Sequence, residues 1–227
     1  MRIGILLARK GSKGIPGKNG LKFLGKPLVY WALDAAFGSC LDIVVFVSDW
    51  RKLFRRVSRR YSKYSLITIH KDMPDDHTSV DGVLHVLKQF AKLGKLSESD
   101  ICVLLQATSP YTTSSEIDTA VQTIEGGACD SVVTCGRIKR YLWSDLGYPL
   151  NYELRERARR QDWAGTLIEN GAIYASRVRN IIDSKNVVSG RIGVLEQPYH
   201  FELDTWADWA YGIVEMGWHD EKQATSQ

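Results

Sequence analysis

Short apolar runs of strand length alternate along the chain with segments whose apolar positions recur every three or four residues. Arg2–Ala8, Ile43–Ser48, Ser65–Ile69, Ile101–Gln106 and Ser131–Cys135 are runs of the first kind. They are rich in β-branched residues and apolar almost throughout, the pattern of strands buried on both faces. Between them lie helical patterns over Leu28–Phe37, Arg51 to about Tyr61, Ser79–Leu93 and Ser114–Glu125. The first of these follows Pro27, which suits an early helical position because the missing N–H costs little there. The run RKLFRRVSRRY (51–61) sets basic residues between Leu53, Phe54 and Val57. That spacing predicts an amphipathic surface helix with one buried face. Strand and helix in strict alternation predict an α/β fold, a mostly parallel sheet with helices on both faces.

The rhythm breaks from about Arg137 to Trp163, where Gly147, Pro149 and the charged run RERARR (155–160) suggest an excursion from the core. Gly171–Ala175 resumes a strand, Val178–Asp183 a short helix, and Arg191–Leu195 another strand. Tyr199–Leu203 is a further strand candidate, and Thr205–Gly217 closes the pattern as a helix carrying Trp206 and Trp209 at i, i+3, a packing pair. With no internal repeat and no low-complexity linker, residues 1–227 are expected to form one domain, with a projecting subdomain at about 137–166.

Composition narrows the class. The 227 residues are 44% hydrophobic and 25% charged, which excludes disorder, collagen and coiled coil. No apolar run approaches the roughly 20 residues of a membrane span, and the N-terminus MRIGILLARK lacks a signal peptide's pattern. A soluble, intracellular protein with no membrane partner is expected. Thirty Lys and Arg against 26 Asp and Glu give a net charge of +4, which suits an anionic ligand without arguing for nucleic acid. Cys40, Cys102, Cys129 and Cys135 form no C-x-x-C pair and read as buried reduced thiols. The five histidines show no metal-ligand spacing.

The first strand runs directly into ARKGSKGIPGKN (8–19). In open α/β sheets, ligands bind beyond the carboxyl ends of the strands. Gly11, Gly14 and Gly17 allow close backbone approach, and Arg9, Lys10, Lys13 and Lys18 add four positive charges. A triphosphate is held in this way, with charge stabilised as it grows during transfer. The loop is not a Walker A motif: five residues separate Gly11 from Gly17, and Asn19 stands where a Ser or Thr belongs. Neither is it a G-x-G-x-x-G turn.

This loop resembles that of the CMP-N-acetylneuraminate synthetases, the cytidylyltransferases that activate sialic-type sugars, which reads A-R-x-x-S-K-G-I/L-P-x-K-N. The resemblance implies that Arg9 and Lys18 contact the phosphates of CTP, that Ser12 and Lys13 support them, and that Asn19 reads the cytosine. Lys10 departs from the family's Gly. Further landmarks follow in order. LLQATSP (104–110) places Gln106, Thr108 and Ser109 after a buried strand, where the family lines its sugar pocket. Taken alone, Thr-Ser-Pro serves an ordinary turn equally well. His77-Thr78-Ser79 is similar to the family's D-T-(A)-S stretch, which would bring Ser79 to the nucleotide; a plain helix N-cap would use the same residue. The stretch is about two residues short, and His70-Lys71 replaces an Arg-containing pair.

RRQDW (159–163), ENGAIYA (169–175) and PLN (149–151) are close to the animal-type branch of the family. They imply that Arg160 pairs with the sugar carboxylate across a dimer interface, and that Asn170 and Tyr174 face the sugar. FELDT (201–205) stands where the family carries D-I-D-T, so Glu202 and Asp204 would hold Mg²⁺. In a strand, residues i and i+2 share a face, which lets both carboxylates meet one hard cation. Glu202 is one methylene longer than the family's Asp.

The resemblance thus implies a Rossmann-like sheet of the nucleotide-diphospho-sugar transferase type with a dimerisation excursion. The implied reaction is transfer of CMP from CTP to the anomeric hydroxyl of a sialic-type nonulosonic acid, with pyrophosphate released. It also implies a homodimer, Mg²⁺ as cofactor, no nucleic-acid partner, and a stand-alone catalytic domain without the further C-terminal domain of animal members. A cytoplasmic location is the simpler expectation, although the basic runs leave a nuclear one open. Kdn, legionaminic, pseudaminic and Kdo acids are alternative acceptors, Kdo enzymes usually lacking S-K-G. A nucleotide-sensing relative without turnover and a basic RNA-binding module are the alternatives from other classes.

Overall fold

The computed structural model describes residues 1–71, 78–199 and 201–224, with 218–224 described by backbone alone. Seven strands form the main sheet: β1 (Arg2–Leu7), β4 (Ile43–Ser48), β5 (Leu66–His70), β6 (Ile101–Gln106), β7 (Ser131–Ile138), β8 (Thr166–Arg177) and β9 (Ile192–Gln197). Their order is β5-β4-β1-β6-β8-β7-β9, and β8 alone runs against its neighbours. Helices α1 (Leu28–Phe37), α2 (Arg51–Arg60), α3 (Ser79–Lys92), α4 (Ser114–Glu125), α5 (Val178–Ser184) and α6 (Trp206–Ala224) complete the chain. The mostly parallel α/β architecture is the one the hydrophobic pattern predicts.

The continuous apolar strands divide their side chains between two faces. Leu6, Val44, Phe46, Val103 and Leu105 pack under α1, α2 and α4, where Val29, Leu33, Leu53, Val57, Ile117 and Val121 meet them. Ile3, Ile5, Val45, Val47, Cys102 and Leu104 face the other way, against Val83, Val86 and Phe90 of α3 and Ile181 of α5. Alternate residues of one strand therefore feed two cores, as a period of two requires. All four cysteines are free thiols. Burial lifts Cys102 to about 12, so it stays a neutral core residue.

The structure differs from the sequence reading in three places. A small hairpin, β2 (Lys22–Phe23) with β3 (Lys26–Pro27), follows the first loop. Its turn places Leu24 and Gly25 at positive φ, a geometry written in two residues and invisible to periodicity. Next, β7 and β8 extend past their predicted ends into one long antiparallel pair, so the excursion outside the sheet narrows to 139–165. There Tyr141 stacks on Trp163, with ring centroids 4.9 Å apart, and packs against Tyr152, while Leu146, Leu150 and Leu154 are exposed. Finally, the predicted strand at 199–203 is absent among the described residues of that segment, which is irregular.

Candidate functional site

A cleft of about 740 Å³ opens at the carboxyl ends of β1 and β6. Its floor is the loop after β1, fastened to the loop after β4. Ser48 Oγ donates to Ala8 O (2.7 Å), Lys10 N donates to Asp49 Oδ1 (2.7 Å), and Ala8 N donates to Val47 O (2.9 Å). The Trp50 ring lies so close under Gly20 that a side chain there would displace it. Gly17 takes a left-handed φ of 64° to start the short 3-10 turn Lys18–Gly20, a conformation glycine adopts without steric cost. This turn buries Lys18 and Asn19. Asn19 Nδ2 donates to Arg9 O (3.0 Å), closing the loop on itself.

The second wall is the start of α3 and the end of β6. Thr78 caps α3 through a reciprocal capping box with Asp81, so Ser79 is the first helical residue and Thr78 the N-cap. Gly82 permits Leu7 of β1 to pack against this turn. Thr78 and Ser79 thereby border the cleft with a helix N-terminus, where backbone N–H groups and the helix dipole favour negative charge. Gln106, Ala107 and Thr108 line the cleft from the end of β6.

The third wall is the irregular segment before α6. Leu203 N donates to Thr108 O (2.9 Å), and Tyr111 Oη donates to Phe201 O (2.6 Å). Leu203 is buried with Ile15, Phe23, Leu28 and Trp209 in a third core that joins the first loop, the hairpin and α6. Two glycines make room for the segment. A Cβ on Gly14 would overlap the carbonyl oxygen of Asp204, and one on Gly171, at φ 65°, would overlap the Glu202 carboxylate. Lys18 Nζ meets Asp204 Oδ1 at 2.6 Å, and Thr108 Oγ1 donates to Glu202 Oε1 at 3.5 Å. Burial, and then the charge of Asp204, push the Glu202 carboxyl up to about 7; Lys18 and Thr108 only partly oppose this.

Ten of the residues singled out from sequence line this one cleft: Arg9, Ser12, Lys13, Lys18, Asn19, Ser79, Gln106, Thr108, Glu202 and Asp204. Glu202 and Asp204 reach it from irregular backbone and not from a strand. His77 lies outside the described residues. The other four stand elsewhere. Ser109 is fully buried, its Oγ donating to Asn170 O at 3.4 Å. Asn170 is buried behind the cleft, Nδ2 donating to Gln197 Oε1 and to Tyr199 O, both at 2.8 Å. Tyr174 is half-buried and donates its hydroxyl to Glu169; burial first, and then that hydrogen bond, push the hydroxyl's pKa up. Arg160 is exposed beside Arg137, Lys139, Arg140 and Ile168, bordering a separate depression of about 600 Å³.

Sequence reasoning assigned no role of their own to Thr78, Gly171 and Tyr111. Thr78 was signalled by T-x-x-D, a capping box in outline. Gly171 was signalled by a glycine inside a strand, which marks a bulge or a close approach. Tyr111 had no local signal, because its hydroxyl partner lies 90 residues away.

Fold and cleft together define an α/β protein with a polar, mixed-charge pocket at the carboxyl ends of a mostly parallel sheet. The family model described as "Cytidylyltransferase" matches residues 3–205, and the chain belongs to that family. It is 32% identical over 222 residues to N-acylneuraminate cytidylyltransferase B of Danio rerio, covering 95% of this chain and 51% of that protein. It is 30% identical over 210 residues to an N-acylneuraminate cytidylyltransferase of Streptococcus agalactiae, covering 89% and 49%. The chain thus spans about half the length of these curated relatives. Among solved structures, a CMP:2-keto-3-deoxy-manno-octonic acid synthetase complexed with CTP superposes with a TM-score of 0.64 at 19% identity, over 96% of this chain and 99% of that one. The 4-diphosphocytidyl-2C-methyl-D-erythritol synthase of Anaerococcus prevotii gives a TM-score of 0.66 at 11% identity, over 95% and 96%. These two likenesses concern the fold.

Proposed function

We propose that this chain transfers CMP from CTP to the anomeric hydroxyl of a sialic-type nonulosonic acid and releases pyrophosphate. The observation that carries the reading is the cleft's charge arrangement. Arg9, Lys13 and Lys18 of the first loop border the same space as Glu202 and Asp204. The N-acylneuraminate cytidylyltransferases named above supply the substrate class.

In this reading Arg9, Lys13 and Lys18 bind the triphosphate, aided by the N-terminus of α3 with Thr78 and Ser79. Asn19 stands beside the base, with part of its hydrogen-bonding capacity spent on Arg9 O. Gln106 and Thr108 orient the acceptor so that its hydroxyl lies in line with the α-phosphorus, which is the positioning part of the barrier. The acceptor oxygen bonds to the α-phosphorus as the bond to the bridging oxygen of the β-phosphate breaks. The hydroxyl proton passes to solvent or base, and pyrophosphate leaves with that oxygen.

The residues present fit a divalent cation. Glu202 is held largely out of water next to a second carboxylate, and Lys18 pairs with only one of the two. Mg²⁺ is commonly bound by one or two carboxylates together with substrate phosphates. Glu202 and Asp204 would hold it, and when bound it would neutralise charge on the triphosphate.

A homodimer belongs to the same reading. Arg160 borders a depression separate from the cleft of its own chain, so it would reach a sugar carboxylate only in a partner's site. The 139–165 excursion, with its exposed apolar residues, would form the contact. The test of nucleotide binding is thermal shift: CTP should raise the Tm, UTP and ATP should not, and Lys18→Ala should abolish the rise. A protein stabilised equally by all three nucleotides would contradict cytidine selection.

A further inference from the structure

The segment that presents Glu202 and Asp204 belongs to no strand, so its path is set by contacts from elsewhere in the chain. Three ties fix alternate residues. Asn170 Nδ2 donates to Tyr199 O at 2.8 Å, Tyr111 Oη donates to Phe201 O at 2.6 Å, and Leu203 N donates to Thr108 O at 2.9 Å. Residues 199, 201 and 203 are thereby tied to the body of the protein, and Glu202 and Asp204 border the cleft. The middle tie precedes Glu202 directly and is made by a side chain. Tyr111 is 5% exposed, its ring packed on Tyr199 and Phe201 with centroids 4.7 and 5.2 Å away. Asn170 O is a second acceptor at 3.1 Å, so the same hydroxyl bridges the strand that carries Gly171, over which Glu202 lies.

We infer that Tyr111 is a positioning residue for the cation site: its hydroxyl bridges Phe201 O and Asn170 O and so holds the backbone that lays the Glu202 carboxylate over Gly171. The inference rests on the reading of Glu202 and Asp204 as cation ligands. Removal of a group that orients a ligand typically weakens metal affinity by roughly 10- to 100-fold.

The test uses the full chain and Mn²⁺ as probe, with protein-bound Mn²⁺ read by EPR against a Mn²⁺–CTP blank, CTP being present and the acceptor acid absent, because substrate phosphates complete such a site. Wild type should bind, and Glu202→Gln should not. Tyr111→Phe keeps the ring stack and removes only the hydroxyl, and it should weaken Mn²⁺ binding at least about tenfold while leaving metal-free CTP affinity unchanged. Tyr61→Phe is the structural control. Its buried hydroxyl donates to Asp34 Oδ1 at 2.7 Å, and neither residue borders the cleft, so its loss should lower Tm comparably and leave Mn²⁺ affinity alone. Wild-type Mn²⁺ affinity in Tyr111→Phe, or equal weakening in Tyr61→Phe, overturns the positioning role and leaves the cation reading standing. Wild type that fails to bind, or Glu202→Gln that binds normally, overturns the cation reading and this inference with it.

Discussion

Lys18 and Glu202 show how single side chains are prepared for a charged ligand. Lys18 has 9% of its side chain exposed, while its ion-pair partner Asp204 has 62% exposed and stays in water when the lysine is deleted; the half-buried Glu202 then loses an opposing charge and can take up a proton. Lys18→Ala should therefore fold, with Tm within a few degrees of wild type, and lose about 10²- to 10³-fold in turnover, the usual cost of one lost charge-stabilising donor. Steady-state kinetics beside a melting curve checks both halves. Glu202 gives a pH signature of opposite sign to that of an ordinary carboxylate. Its folded pKa, about 7, lies above the ordinary 4.5. The folded state holds the extra proton between those values, so this group's contribution is fully present below about 4.5 and is lost as pH rises through 7. In EDTA, Glu202→Gln should thus gain stability over wild type at pH 8, on the order of 1 kcal/mol once solvent screening is allowed for, with less difference at pH 5. Melting curves at the two pH values decide it; an equal gap at both would contradict the assigned burial.

At the scale of elements, α2 is a helix whose charge opposes its own stability. Arg51, Lys52, Arg55, Arg56, Arg59 and Arg60 are exposed, no acidic residue stands in the first turn, and Trp50 gives no side-chain cap. Like charges four apart repel by a few tenths of a kcal/mol per pair. Arg56→Glu would turn its pairs with Lys52 and Arg60 from repulsive to attractive, for about 1 kcal/mol in all. A Tm rise of a few degrees at low salt, shrinking in 0.5 M NaCl, is the expected result. The helix itself was legible because Leu53 and Val57 repeat on one face and both are buried. The main strands were legible for the same reason, each feeding two cores. The 199–203 segment was not. Its alternation mimics a strand, yet its backbone groups are claimed by Tyr111, Asn170 and Thr108, contacts from far along the chain that no local pattern records. The first loop's place at the cleft was legible because its glycines and cations stand together in the sequence. The burial of Ser109 and Asn170 was not, since only the tertiary fold turns them inward.

The whole molecule joins one cleft to one excursion. In the proposed dimer Arg160 acts on the partner's acceptor, so Arg160→Ala should raise the KM for the sugar acid about tenfold, a loss of the order of one exposed charge-assisted hydrogen bond, and leave the KM for CTP unchanged. Sedimentation should give twice the monomer mass for wild type; a monomer with full activity would contradict the shared site. The most direct test of the central claim is pyrophosphate release from CTP and Mg²⁺ with a panel of N-acetylneuraminate, Kdn, legionaminate, pseudaminate and Kdo. The account predicts release with a sialic-type acid, dependent on that acid and absent when UTP or ATP replaces CTP. Silence across the panel from folded protein that binds CTP would contradict it.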